Sequence, residues 1–518
     1  MLYRLFFRGQ NKLNMKKGDF MKKVLAIDMG ATSIRGVIGY INEKKIVLEE
    51  VMRFRHSIIE VDGRLRWDWN KIKSNIIDIL LNSQCQNLSS VSVDTWGVDF
   101  GLLDKEGELL ECPLSYRDPR NTEFLKKTLK KISPMCLYKI TGNQIMAINT
   151  LFQLEAIRNN NIELFHKIYK VVLLPDLINY YFTGKIYAEK TIASTTQLFD
   201  QNNKTWNYEL IKNLGYNENI FPKVMENCEI IGNTKESPIE VLNNMDLQVV
   251  SIASHDTASA VATTRAFYDE KCMFLSCGTW SLLGVCTDKP VINKYTFDNQ
   301  LTNEIGLNNK NLFFKNITGL YFLERTIEEL ESIKEYTYAE ISEIVDKSSE
   351  FKSIIYMEAD SVGVNDKVSD YIREYAQKTN QYIPKTDGEI FRIIYESLAF
   401  RYYDAIQDIE ECQNTIYDSI QIIGGGSKSN VLCQMTADIT NKTVVAGPVE
   451  ATALGNVVTQ LIKLGEISDV RQAHDLIINS FEYKIYKPKN HHRWMRAYEK
   501  YKTLKKEFFM LNSNNISN

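Results

Sequence analysis

The sequence has no Cys-x-x-Cys pair among its nine cysteines, no long apolar run and no G-x-x-x-x-G-K-[ST] segment. Each absence excludes a class. Scattered, unpaired cysteines rule against zinc ribbons and dithiol redox motifs, and their odd number argues against a full disulfide framework. With no apolar run of about 18 residues, nothing reads as a membrane-spanning helix. The missing glycine–lysine loop excludes a Walker-type P-loop, and no G-x-G-x-x-G opens a strand–helix unit near the start, which weakens a dinucleotide reading. Strong charge of either sign is missing too: the formal net charge is −3, so no basic field points to nucleic acid or to an acidic membrane surface. What is present is 518 residues, 44% hydrophobic and 25% charged. That is ordinary for a globular, cytoplasmic, enzyme-sized chain of several domains at about 100–200 residues each.

The first twenty residues, MLYRLFFRGQNKLNMKKGDF, differ from the rest. They are basic, with a short apolar stretch from Leu2 to Phe7 broken by Arg4, too short for a signal peptide. Met21 directly precedes Lys22-Lys23 and a β-type run, so the natural start is expected there, with residues 1–20 a disordered leader or a mis-assigned start.

From Val24 the pattern predicts a strand to Asp28, a turn at Gly30 to Ser33 and a returning strand from Ile34 to Tyr40. Further strands are expected at 45–48, 53–59, 91–94 and 98–103. Ile72, Ile76, Ile79 and Leu80 fall on one helical face, with Asp68 or Asn70 as the cap. The strand–turn–strand opening recurs at Met273 to Ser276, Gly278-Thr279 and Ser281 to Cys286; helices near 389–409 and 430–440 flank a strand at 419–423. Two lobes of related topology facing one cleft would produce this order.

Several segments carry chemistry-bearing residues. In Asp28-Met29-Gly30-Ala31-Thr32-Ser33, Gly30 permits a tight turn, and the following N–H groups and hydroxyls suit phosphate oxygens. Asp28 is placed to hold a hydrated Mg²⁺; an ordinary hairpin also fits. Ser276-Cys277-Gly278-Thr279 is a second such turn, and Gly424-Gly425-Gly426 a third glycine cluster or a plain connector. In Ala253-Ser254-His255-Asp256-Thr257-Ala258, Asp256 could accept the proton of an attacking hydroxyl, and His255 could bond a sugar hydroxyl; alternatively Asp256 caps a helix. Asp94-Thr95-Trp96-Gly97-Val98-Asp99 combines carboxylates with an aromatic face, as sugar sites do, though Trp96 also reads as a core anchor. Tyr116-Arg117-Asp118 could add polar contacts, and Cys272 and Cys277 read as buried fillers.

In this order, and together with Pro175-Asp176, Ala193-Ser194-Thr195-Thr196-Gln197-Leu198 and Ala446-Gly447-Pro448-Val449-Glu450-Ala451-Thr452, the segments resemble the FGGY family of carbohydrate kinases over residues 22–490. The resemblance implies an α/β fold of two ribonuclease-H-like, actin-like ATPase lobes around a central catalytic cleft. It divides the chain into an N-terminal lobe (21–265), a C-terminal lobe (266–490) and a C-terminal helix and tail (491–518). It implies ATP and Mg²⁺ as cofactors, and phosphoryl transfer to a ketose, with the 1-hydroxyl of L-rhamnulose as the expected acceptor and L-fuculose or D-xylulose as alternatives.

By the same resemblance Asp256 is the catalytic base, and Gly97, His255, Asp256, Thr257 and Asn316 contact the sugar. Ala31, Thr32, Ser33, Ile34, Arg35, Thr279, Glu324 and Gly425 contact ATP, and Asp28 stands near the metal. Three departures are visible: Glu324 where relatives carry Gln, Ile34 in place of a small residue, and Thr302-Asn303-Glu304-Ile305-Gly306 in place of a more glycine-rich stretch. None is expected to touch the base. Rival readings are a non-catalytic sugar sensor, disfavoured by Asp28, Asp256 and Thr279 together, and a filament or chaperone ATPase, which gives no reason for the sugar-type segments.

Overall fold

A computed structural model describes residues 22–516 apart from 86, 332–335, 357, 359–360 and 364–365. The expectations for residues 1–20 and for a start at Met21 lie outside the described residues.

The first sheet grows from β1 (Val24–Met29), buried at every position as a strand covered on both faces must be. It pairs antiparallel with β2 (Ser33–Asn42), which pairs with β3 (Lys45–Arg55). β3 runs unbroken where two shorter strands were expected. Glu49 and Glu50, poor strand formers by propensity, lie exposed on this edge strand, where charge is tolerated. On its other side β1 runs parallel to β4 (Ser90–Thr95), followed by β6 (Gln248–Ser251) and, antiparallel, β5 (Glu229–Asn233). The order is β5-β6-β4-β1-β2-β3.

Helix α1 (Trp69–Leu81) is capped by Asp68, whose side chain accepts from Lys71 N, and lays Ile72, Ile76, Ile79 and Leu80 on this sheet. The approach is close enough that a Cβ on Gly36 would sit 2.4 Å from Ile79 Cγ2.

The second sheet repeats the plan. β7 (Cys272–Cys277) pairs antiparallel with β8 (Trp280–Thr287) and parallel with β11 (Ser419–Ile423); β9 (Leu301–Ile305), β10 (Asn311–Thr318), β12 (Thr443–Ala446) and β13 (Lys484–Tyr486) complete the order β9-β10-β8-β7-β11-β12-β13. In both sheets a hairpin's first strand pairs on its far side with a parallel strand reached through a long crossover. This is the expected pair of ribonuclease-H-like lobes.

Helix α2 (Asp256–Val261) follows β6, and α3 (Tyr321–Glu331) follows β10. α4 (Asp387–Gln413), opened by a capping box between Thr386 and Glu389, and α5 (Asn430–Thr440) cover the second sheet. α6 (Ala451–Lys463) and α7 (Val470–Ser480) then return to the first sheet, packing on Val24, Ala26, Val37 and Ile41. The chain therefore crosses between the lobes again after β12. α8 (His491–Ile516), the expected C-terminal helix, inserts Trp494, Tyr501 and Leu504 into the second core.

The segment between β4 and β5 builds a third core around Phe100, Leu151, Phe152, Phe199 and Trp206. It is bonded to the edge of the second sheet: Tyr138 Oη donates to Leu301 O (2.8 Å), Asn143 Nδ2 to Asn303 O (2.8 Å) and Ile305 N to Ser194 Oγ (2.9 Å). This wall closes one end of the space between the lobes. Among the described residues no helix is long and apolar enough to cross a membrane.

Candidate active site

Ligands of open α/β sheets gather beyond the carboxyl ends of the parallel strands. Here five such ends converge: β1 runs into Gly30–Thr32, β4 into Trp96–Val98, β6 into Ser254–Asp256, β7 into Gly278–Thr279 and β11 into Gly424–Gly426. They surround a cleft of about 310 Å³ whose lining includes Ala31, Gly97, His255, Asp256, Thr257, Thr279, Asn316 and Gly425. Eight of the expected site residues, drawn from both lobes, thus share one space.

Asp256 is the first residue of α2, and His255, not Asp256, occupies the cap position. The capping alternative is therefore corrected: the Asp256 carboxylate accepts from Thr257 N (2.5 Å) and Thr257 Oγ1 (3.2 Å) and stays partly open to the cleft. Burial raises its pKa; nearby His255 pulls it down and Asp28 pushes it further up. A carboxylate so tuned is a better proton acceptor than a free aspartate.

The loop before it is fixed by Glu189, a buried carboxylate whose Oε2 accepts from Ser254 N (3.2 Å), Ser254 Oγ (2.7 Å) and Thr191 N (2.9 Å). Thr191 Oγ1 in turn accepts from His255 N (3.1 Å).

Asp94 and Asp99 are under the cleft, not in it. Asp99 Oδ2 accepts from Trp67 Nε1 (2.7 Å) and Trp96 Nε1 (2.9 Å), and Oδ1 from Gln153 Nε2 (3.0 Å). Burial pushes its pKa up to about 6 while those donors pull it down. Asp94, beside Asp28 on the neighbouring strand, is raised well above the usual carboxylate range by burial and then by Asp28. Trp96 plays both parts read for it, lining the cleft while its ring packs 4.4 Å from that of Trp67.

The first phosphate-type turn leaves Thr32 exposed and Ala31 and Ser33 half-buried. Ile34 belongs to β2 with its side chain buried in the core at 0% exposure, so the departure noted there points away from the cleft. Arg35 donates from Nε (2.9 Å) and Nη2 (2.6 Å) to Asp28 Oδ2 and from Nη1 to Glu450. Those partners raise its pKa against the opposing effect of burial, so its charge is already matched within the protein.

In the second turn Thr279 Oγ1 donates to Glu324 Oε2 (2.9 Å), and burial raises the Glu324 pKa. Glu324 thus reaches the second turn through Thr279 and is not among the residues lining the cleft. Gly424 adopts φ 76° and its Cβ would lie 3.1 Å from Cys277 O, which is why glycine opens the third turn.

Among the described residues no three His, Cys, Asp or Glu side chains form a metal cage. Both Arg35 bonds to Asp28 fall on Oδ2. A magnesium ion that keeps several waters and takes one or two carboxylates would fit beside Asp28, which lies just outside the cleft lining and would be the residue to hold it.

Among the cleft residues to which sequence reasoning gave no site role are Val98, Gln144, Thr302 and Glu304. Val98, expected to start a strand, takes φ 71° at the cleft wall, with its N–H on Thr195 Oγ1 (3.1 Å); the strand begins at Phe100. A β-branched residue there is strained, a cost tolerated at binding sites. Gln144 Oε1 accepts from Asn316 Nδ2 (3.1 Å). Thr302 and Glu304 both line the cleft, and Glu304 Oε2 lies 3.0 Å from His255 Nδ1. The 302–306 departure does not touch Asp256 itself, but alternation along β9 turns Glu304 toward the residue next to it.

Two models of FGGY-family carbohydrate kinases match the chain, the N-terminal domain over residues 23–262 and the C-terminal domain over 273–464. A rhamnulokinase of Bacteroides thetaiotaomicron is 38% identical across 92% of this chain and 98% of its own length. One from Oceanobacillus iheyensis is 36% identical across 89% and 97%. In structure the chain is similar to the gluconate kinase of Lactobacillus acidophilus, with a TM-score of 0.78 at 18% identity, covering 94% of this chain and 98% of that one. With both family domains matched in order across the two lobes, the chain belongs to the FGGY family of carbohydrate kinases.

Proposed function

We propose that the chain transfers the γ-phosphoryl group of ATP to the 1-hydroxyl of L-rhamnulose, giving L-rhamnulose 1-phosphate and ADP. The observation that carries this reading is Asp256: a carboxylate raised by burial, on the first lobe, sharing one cleft with the glycine turns of the second. The rhamnulokinases similar to this chain along most of its length support the choice of sugar.

In this reading the sugar lies against Gly97, His255, Thr257 and Asn316, with Asp256 accepting the proton of the attacking hydroxyl as its oxygen bonds to the γ-phosphorus and the bond to the ADP oxygen breaks. Ala31 to Ser33 on one side, and Thr279 and Gly425 on the other, hold the phosphates by N–H groups and hydroxyls. Arg35 keeps Asp28 in place, and Glu324 keeps the Thr279 hydroxyl oriented. Mg²⁺, held by Asp28, supplies neutralisation of the phosphate charge when bound. Closure of the two lobes would exclude water that could otherwise hydrolyse ATP.

The test is ADP release with Mg·ATP against L-rhamnulose, L-fuculose, D-xylulose, glycerol and no sugar. The highest kcat/KM is expected with L-rhamnulose. A higher value with another sugar would reassign the acceptor, and turnover independent of sugar would defeat the reading.

A further inference from the structure

Glu304 and His255 come from different lobes, the first from the edge strand of the second sheet and the second from the turn that precedes α2. Their facing atoms, Oε2 and Nδ1, stand 3.0 Å apart at ion-pair distance, and both are buried and outside any hydrogen bond among the described residues. Both ends are fixed. β9 is tied to the third core through Asn303 N on Gly142 O (2.9 Å) and Ile305 N on Ser194 Oγ (2.9 Å), while His255 N is held by Thr191. His255 Nε2 then lies 3.4 Å from Asp256 Oδ1.

We propose that Glu304 is a positioning residue for sugar phosphorylation: by holding His255 at Nδ1 it fixes the ring so that Nε2 faces Asp256 and the hydroxyl Asp256 deprotonates. The proposal rests on the reading of the cleft as a ketose-kinase site.

The chemistry follows from the ring's two nitrogens. A carboxylate on Nδ1 selects the tautomer with its proton there and settles which edge of the imidazole faces the cleft. Without it the ring could turn and present either nitrogen to the sugar. The charged groups facing His255 are Glu304, Asp256 and Glu189; burial opposes the imidazolium, but these carboxylates outweigh it and raise the pKa above the usual histidine value. His255 can therefore donate from Nε2 to a sugar oxygen while Asp256 accepts from the neighbouring hydroxyl. A buried ion pair kept only for stability would be a poor bargain against apolar packing, since desolvation offsets much of its attraction. Its place in the cleft wall, one atom from the sugar-facing histidine, gives it a functional reason.

The experiment compares the full-length protein with Glu304→Gln, His255→Asn and the double variant. Loss of a charge-assisted bond to the ring should raise KM for L-rhamnulose about tenfold or more in Glu304→Gln, with KM for ATP changed by less than about twofold. Because Glu304 acts through His255, adding Glu304→Gln to His255→Asn should cost less than about twofold further. Equal, additive losses in the two backgrounds would overturn the proposal, as would a parallel rise in both KM values with a lower melting temperature.

A second readout needs no substrate. In the ligand-free protein, nitrogen-detected NMR of the imidazoles, with His255 identified by its loss in His255→Asn, should show the proton on Nδ1 and a lower His255 pKa in Glu304→Gln. An unchanged tautomer and pKa would overturn the proposal even if L-rhamnulose were not the substrate. Absence of turnover with L-rhamnulose in the unaltered protein, with the NMR result as expected, would defeat the substrate reading and leave the dyad standing.

Discussion

The two strand–turn–strand corners share a backbone plan and differ in charge. In the first lobe Asp28 stands two residues before Gly30, opposite Arg35 on β2 and beside Asp94 on β4. In the second, Ser276 stands two residues before Gly278, opposite Leu282 on β8 and beside Ile423 on β11. One corner carries two carboxylates and a guanidinium, with Asp256 near enough to feel Asp28; the other faces the cleft with hydroxyls, glycines and backbone, its Glu324 carboxylate bonded behind Thr279 and outside the cleft lining. The same fold is thus used twice for different tasks. Carboxylates suit a metal ion and a proton-losing hydroxyl, whereas a polyphosphate needs N–H groups and hydroxyls without a competing negative charge.

The sharpest way to break this contrast is to remove the acid from the first lobe. Asp256→Asn should lower kcat roughly a hundred- to ten-thousandfold, the range for loss of a general base, while the affinity for the sugar, measured by calorimetry, holds. A fall of less than about threefold would mean that the hydroxyl needs no base from Asp256. The converse change puts an acid into the second lobe. Ser276→Asp should raise KM for ATP by about ten- to a hundredfold through like-charge repulsion in a shielded cleft, with sugar affinity little altered. An unchanged KM for ATP would place the phosphates elsewhere.

In packing the corners agree: the turn glycines Gly30 and Gly278 have nothing nearer a Cβ than 3.7 and 3.8 Å, whereas the strand glycines Gly36 and Gly284 would meet atoms at 2.4 and 2.3 Å. Gly36→Ala, whose Cβ would meet Ile79 Cγ2 at 2.4 Å, should cost about 1–3 kcal/mol of stability in denaturant unfolding. Gly278→Ala, with nothing nearer its Cβ than Trp280 O at 3.8 Å, should change stability by less than about 0.5 kcal/mol. Equal losses at the two positions would contradict the packing described.

Much of this was legible in the sequence because the turns are local: Gly30, Gly97, Gly278 and Gly424 each follow a short apolar run, and a run with its turn fixes a strand end. The cap of α1 was readable for the same reason, through Asp68. What escaped depends on residues far apart in the chain. Nothing near Ala451 signals that α6 lies on β1 and β2, because its apolar face would serve either lobe. Glu304 reads only as part of a departure from a glycine-rich stretch until β9 is set against the third core. Asp99 looks like a sugar ligand until two indole N–H groups are found on it. Val98 has the composition of a strand residue and the backbone of a turn.

The central claim is that the acceptor hydroxyl lies against Asp256 of the first lobe and the triphosphate between the Ala31–Ser33 turn and the Thr279 and Gly425 turns of the second. A crystal structure with L-rhamnulose, Mg²⁺ and a non-hydrolysable ATP analogue tests it most directly. The account predicts the 1-hydroxyl within about 3.2 Å of an Asp256 oxygen, with the γ-phosphate between it and the Thr279 and Gly425 turns. A sugar seated away from Asp256, or a triphosphate held by the first lobe alone, would contradict it.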